Sequence, residues 1–136
     1  DMKGRRGKTP DFRIPLPTQA LEVVKFSQCL NPSEWVFPGP SGKPITDVLT
    51  SRWLRDHDAG TTGHGFRSSF RDWLAECTSA PYEVAESCIA HNVGSKVERA
   101  YRRTDYLEQR APLMQAWADF VFGNQAADVL KFEREG

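Results

Sequence analysis

His64 and Arg67 stand three residues apart in His64-Gly65-Phe66-Arg67. A helix turns about 100° per residue, so side chains three apart lie about 60° from each other and share a face. An imidazole and a guanidinium at the rim of an apolar stripe, beside a helix N-terminus, would make a receptor for a phosphate. His91 closes Ile89-Ala90-His91 just ahead of Asn92-Val93-Gly94, a helix end followed by a Gly turn. Tyr101 is followed at once by Arg102 and Arg103. Neighbouring cations favour a phenolate over a phenol, whose unperturbed pKa is about 10, which makes Tyr101 a better nucleophile candidate than an average Tyr. Tyr82 and Tyr106 compete with it, but neither precedes paired Arg. Taken singly, each segment has a plainer explanation: exposed His and Arg flanking a core, a His against a helix dipole, a half-buried Tyr among exposed Arg.

The elements that must hold these residues are readable from periodicity and punctuation. Phe66, Phe70, Trp73, Leu74 and Cys77 recur at helical spacing, which predicts a helix from about His64 with these five as one buried stripe. Pro81 suits the first position of a helix reaching about Ala90. A short helix then carries Tyr101, and a longer one runs from about Asp105 to Phe122, kinked or restarted at Pro112. Upstream, Lys3-Gly4-Arg5-Arg6-Gly7-Lys8 reads as a hairpin turn and the alternating Phe12-Arg13-Ile14-Pro15-Leu16 as a short strand. Thr18 is a candidate N-cap for a helix to about Cys29, closed by Asn31-Pro32-Ser33. Trp35-Val36-Phe37 reads as extended and Pro38-Gly39-Pro40-Ser41-Gly42 as an exposed loop. Thr46 caps a further helix that ends near His57, with Leu49 and Trp53 on its apolar side.

Composition bounds the class. A chain of 136 residues suits one domain with its own core, and 39% apolar with 26% charged residues is the balance of a folded soluble protein. No run of about eighteen apolar residues and no signal-peptide pattern is present, so no membrane partner and a cytoplasmic setting are expected. Cys29, Cys77 and Cys88 are odd in number and without a paired motif, which predicts neither a disulfide framework nor a zinc site. The formal net charge of zero argues against a uniformly basic nucleic-acid binder. Its distribution is uneven. Residues 1–13 hold five cations against two acids, and residues 107–136 five acids against three cations.

In combination the segments are more specific. H-x-x-R, then Ala-His before a Gly turn, then a Tyr ten residues on, resembles the signature of tyrosine recombinases. The likeness extends to Trp73-Leu74-Ala75-Glu76, Ala90-His91-Asn92-Val93-Gly94, Glu98-Arg99-Ala100-Tyr101, Asp105-Tyr106-Leu107-Glu108-Gln109-Arg110 and Leu113-Met114-Gln115-Ala116-Trp117-Ala118-Asp119. All are similar to integrases of prophages and genomic islands. The resemblance covers roughly residues 1–122 and implies the C-terminal part of such a catalytic domain, with 123–136 as a tail.

That resemblance implies a mainly α fold with a small β-hairpin or antiparallel sheet (α+β), a partial tyrosine-recombinase catalytic fold. It carries Tyr101 over as nucleophile, Arg67 as the second of the family's two Arg, His64 as its H-x-x-R partner and His91 as the later His. Lys3 is the expected catalytic Lys, with Lys8 as the other choice on the same turn. The family's first Arg has no counterpart in the chain, so the piece alone is expected to be inactive or nearly so. The implied partners are double-stranded DNA at attachment sites and other integrase protomers in a synaptic complex, and no metal or cofactor is expected. The rival reading is a non-catalytic integrase-like DNA-binding module. A metal-dependent hydrolase using His64 and His91 is disfavoured, because no Asp or Glu stands beside either at metal-ligand spacing.

Overall fold

The computed structural model describes residues 12–91 and 104–123. Among them the chain forms five helices: α1 (Thr18–Leu30), α2 (Asp47–Asp56), α3 (Gly63–Cys77), α4 (Tyr82–Cys88) and α5 (Leu107–Val121). The expected hairpin turn at residues 3–8 and the short helix of Tyr101 lie outside the described residues.

Local chemistry accounts for the helix starts. Thr46 Oγ1 accepts from Leu49 N at the head of α2, and Thr62 Oγ1 accepts from Gly65 N at the head of α3. Pro81 precedes α4 with its φ set near the helical range. At α1 the cap lies one residue earlier than expected, on Pro17, and Thr18 is already helical. A neighbouring helix does the capping: Thr18 N and Oγ1 both donate to Gln115 Oε1 of α5, at 2.9 and 3.2 Å. Gln115 Nε2 donates to Gln19 Oε1, and Gln19 Nε2 to Asp119 Oδ1, so α1 docks on α5 through amides and carries no buried residue. Pro112 does not restart α5. The hydrogen bond it forgoes belongs to the exposed second turn, where water can serve the Glu108 carbonyl.

The core lies between α3, α4 and α5. Phe70, Trp73 and Leu74 of α3 meet Val84 and Ala85 of α4 and Leu113 of α5, with Cys77, Cys88, Ile89 and Met114 packed around them. Trp117 brings an aromatic cluster, its ring centroid 5.2 Å from Phe70 and 5.4 Å from Trp73. The predicted stripe is therefore buried at Phe70, Trp73 and Leu74 and half-buried at Cys77. Phe66 is 54% exposed, one turn before α4 and α5 reach the α3 surface. On α2 only Leu54 is buried; Leu49 and Trp53 stay exposed, and Trp53 stacks on His57.

The expected small sheet is not found among the described residues. Residues 12–17 have no regular secondary structure. Two causes are visible: Pro15 and Pro17 have no N–H to give a ladder, and the Arg13 carbonyl already accepts from Arg110 Nη2 at 2.6 Å. The breaker-rich loop after Phe37 is tighter than expected. Pro38 and Pro44 face each other as an antiparallel bridge, Ile45 N donates to Phe37 O, and Gly42 turns the chain at φ +72°, where glycine bears no Cβ penalty.

Candidate functional site

The head of α3 sets out His64 and Arg67. Gly65 between them is required by close approach: a Cβ there would collide with Thr61 Oγ1, in the segment that folds against the first turn. Both side chains are exposed. They share a helix face about 60° wide, next to the N-terminal amides that intrahelical bonding leaves unused. One turn further, Arg71 projects from the same face, about 40° from Arg67.

Arg71 links this face to the end of α4. Its Nε donates to Glu86 Oε1 at 2.6 Å, and its guanidinium lies over the Tyr82 ring, 5.7 Å from the centroid. Glu86 is only 5% exposed. Its other oxygen, Oε2, pairs with His91 Nδ1 at 2.5 Å. Burial by itself would raise the Glu86 carboxyl. The hydrogen bonds and charges of Arg71 and His91 outweigh it and hold the group below the ordinary carboxylate range, so Glu86 is ionised at neutral pH.

The approach of His91 to Glu86 follows from how α4 ends. His91 N donates to Glu86 O at 2.9 Å and Ala90 N to Ser87 O at 3.1 Å, while Ala90 adopts φ +53°. This is the Schellman arrangement, in which a left-handed residue reverses the chain and sets the residue after it over the last helical turn. That position commonly makes an apolar contact with the turn below. Here the contact is a carboxylate with an imidazole.

Among the described residues no direct hydrogen bond joins His64 or Arg67 to His91; the connection between α3 and His91 runs through Arg71 and Glu86. Lys3, its alternative Lys8 and Tyr101 lie outside the described residues. No group of His, Cys, Asp and Glu able to hold a metal occurs among the described residues. None of their helices is long and apolar enough to cross a membrane.

Two buried charges escape a reading of the sequence alone. Glu86 leaves a trace, because it is the one charge in Val84-Ala85-Glu86-Ser87-Cys88-Ile89, an otherwise uncharged run. Arg110 leaves none. It is 1% exposed, donates from Nη1 to Ser87 O at 3.3 Å and from Nη2 to Arg13 O, and stacks on the Phe12 ring at 4.7 Å. Arg110 thus fastens the segment after the expected Lys turn to the α4 turn that precedes His91.

The chain is 36% identical over 123 residues to the prophage integrase IntA of Escherichia coli strain K12, covering 87% of this chain and 29% of that protein. It is 31% identical over 126 residues to the integrase of Shigella phage Sf6, covering 88% of this chain and 31% of the relative. Prophage integrase IntS of Escherichia coli strain K12 matches at the same identity and the same coverage. No family model and no solved structure matches the chain. The chain spans about a third of the length of these curated relatives. Several integrases of phages and prophages thus match this chain along most of its length, the likeness expected of a piece of such an integrase.

Proposed function

We propose that residues 1–122 are the C-terminal part of the catalytic domain of a tyrosine-type site-specific recombinase, followed by a tail, and that the parent protein integrates and excises a mobile element. The observation that carries the reading is the H-x-x-R face of α3, joined by the Arg71–Glu86 pair to His91, in a chain that matches integrases over 87% of its length.

The chemistry follows from the substrate. A phosphodiester repels nucleophiles by its charge, so cations must meet the non-bridging oxygens as charge builds in the transition state. Arg67 offers a forked, permanently charged group, and His91 a second donor. Tyr101 Oη attacks phosphorus in line; the bond to the 5′-oxygen breaks, and Lys3 delivers the proton that oxygen needs. The product is a 3′-phosphotyrosyl link and a free 5′-hydroxyl. The proton that Tyr101 Oη loses as it attacks passes to His64, or to solvent if His64 instead braces the phosphate. A 5′-hydroxyl from a partner duplex reverses the step, which exchanges strands without an external energy source, on double-stranded DNA held by several protomers.

The test is Tyr101→Phe in the full-length integrase. Covalent attachment to an attachment-site duplex should vanish while DNA binding is largely retained, and attachment by the unsubstituted protein should survive EDTA. A DNA adduct that persists in Tyr101→Phe refutes the assignment.

A further inference from the structure

We infer that Glu86 is a positioning residue for His91: the buried carboxylate accepts a hydrogen bond from the Nδ1–H of the imidazole and so presents Nε2 as the ring nitrogen that meets the phosphate. The role in DNA chemistry rests on the recombinase reading above; the positioning itself does not.

Each partner of Glu86 is oriented independently. Oε1 is held by Arg71 Nε and Oε2 by His91 Nδ1, so the carboxylate has one fixed donor on each oxygen and cannot rotate without breaking one. His91 is joined to Glu86 twice, once through the side chains and once through His91 N to Glu86 O, which leaves the imidazole little freedom at its base. Glu86 is 5% exposed, whereas the His91 side chain is 63% exposed, so the dependence runs one way: a sequestered anion directs a ring that reaches solvent. An ionised carboxylate can only accept. Nδ1 must therefore carry the proton. In the neutral ring Nε2 is then bare and can take a proton or a hydrogen bond. In the charged ring it is an N–H aimed at an anion. The charged ring can donate to a phosphate oxygen through Nε2 and the neutral ring can accept a proton there, and neither act is available through Nδ1. The same logic fixes the tautomer of histidines in hydrolytic triads and metal sites, where a carboxylate on one nitrogen decides what the other can do. Arg71 acts one step further back, by holding Glu86 ionised and in place.

The test is spectroscopic and uses the 136-residue chain itself, isotopically labelled at His. Long-range nitrogen–proton correlation at about pH 8.5, where imidazoles are neutral, distinguishes the two tautomers. The signals of His57, His64 and His91 are assigned by loss in His91→Asn. His91 should be in the Nδ1–H form, and Glu86→Gln should abolish that preference with helix content unchanged. An Nε2–H form of His91 in the unsubstituted chain overturns the inference, and so does an unaltered tautomer in a folded Glu86→Gln. The first result needs no variant, so a misfolded Glu86→Gln does not rescue the idea. In the full-length integrase, Glu86→Gln should slow covalent DNA attachment about 10–100-fold with DNA affinity retained, and adding it to His91→Asn should cost nothing more. If the Nδ1–H form is found and the unsubstituted integrase makes no covalent adduct, the recombinase reading fails while the positioning of His91 stands.

Discussion

Replacing Arg110 by Met keeps most of the side-chain stem and removes the guanidinium, which isolates what that buried charge contributes. Two hydrogen bonds from a cation are lost, to Ser87 O and to Arg13 O, each worth about 1.5–3 kcal/mol, and both carbonyls are left without that donor. Against this stands relief from burying an ion: the side chain is 1% exposed, its Nε has no hydrogen-bond partner among the described residues, and Asp105 is 4.0 Å away. The loss should outweigh the relief, for a net destabilisation of about 2–4 kcal/mol. With a urea slope of about 2 kcal/mol per molar, the middle of the range for a small domain, the unfolding midpoint should drop by about 1–2 M. Arg110→Lys should recover at most part of this, since an ammonium lacks the fork that spans the two carbonyls. An unchanged or raised midpoint for Arg110→Met, at unchanged slope, would show that desolvation cancels the two bonds and that Arg110 does not fasten residues 12–13 to the end of α4.

Leu113 is fully buried between α3, α4 and α5, so Leu113→Ala should cost about 2–5 kcal/mol by chemical denaturation, whereas Val48→Ala, at a position 77% exposed, should change stability by less than about 0.5 kcal/mol. Thiol labelling of the native chain at pH 9 should mark exposed Cys29 first and spare Cys88, whose thiol burial pushes up to about 11 despite the nearby Arg110. Stability should fall in acid. Glu86 and Asp105 are both held below their ordinary range by cationic partners that outweigh desolvation, so their contribution is complete above that range and is lost as pH falls through it, below about pH 4. A urea midpoint followed from pH 7 to pH 3 should show this, with a shallower decline in Glu86→Gln.

Much of the helical framework was legible because it is written locally. Thr46 and Pro81 mark two helix starts within a residue, and Phe70, Trp73 and Leu74 repeat at the spacing of a buried face. What the sequence does not encode locally is which turns a partner will cover. Phe66 continues the pattern of Phe70 and yet remains exposed, since burial depends on where α4 and α5 end. Buried charge is harder still. Glu and Arg are rarely buried, and Glu86 and Arg110 are sequestered only because Arg71, His91, Ser87 and Arg13 arrive from elsewhere in the chain. For the candidate site, H-x-x-R on α3 and a helix end near His91 could be read from spacing, but the reversal at Ala90 and the Glu86 link could not. Lys3, which the family resemblance supplied, and Tyr101, singled out by its paired Arg and assigned as nucleophile by the resemblance, lie outside the described residues.

The polar docking of α1 also bears on the order in which the chain closes. Arg71 and Glu86 are 15 residues apart, so α3 and α4 meet after a short loop search, whereas Gln115 must find Thr18 and Arg110 must find Arg13 across 97 residues. Loop-closure entropy makes the distant contacts the later ones to form. Interactions made after the rate-limiting step leave the folding rate alone and govern the speed of opening. The Gln115 network, which buries nothing on α1, thus acts as a latch: it sets how often α1 detaches while the α3–α4–α5 core stays closed.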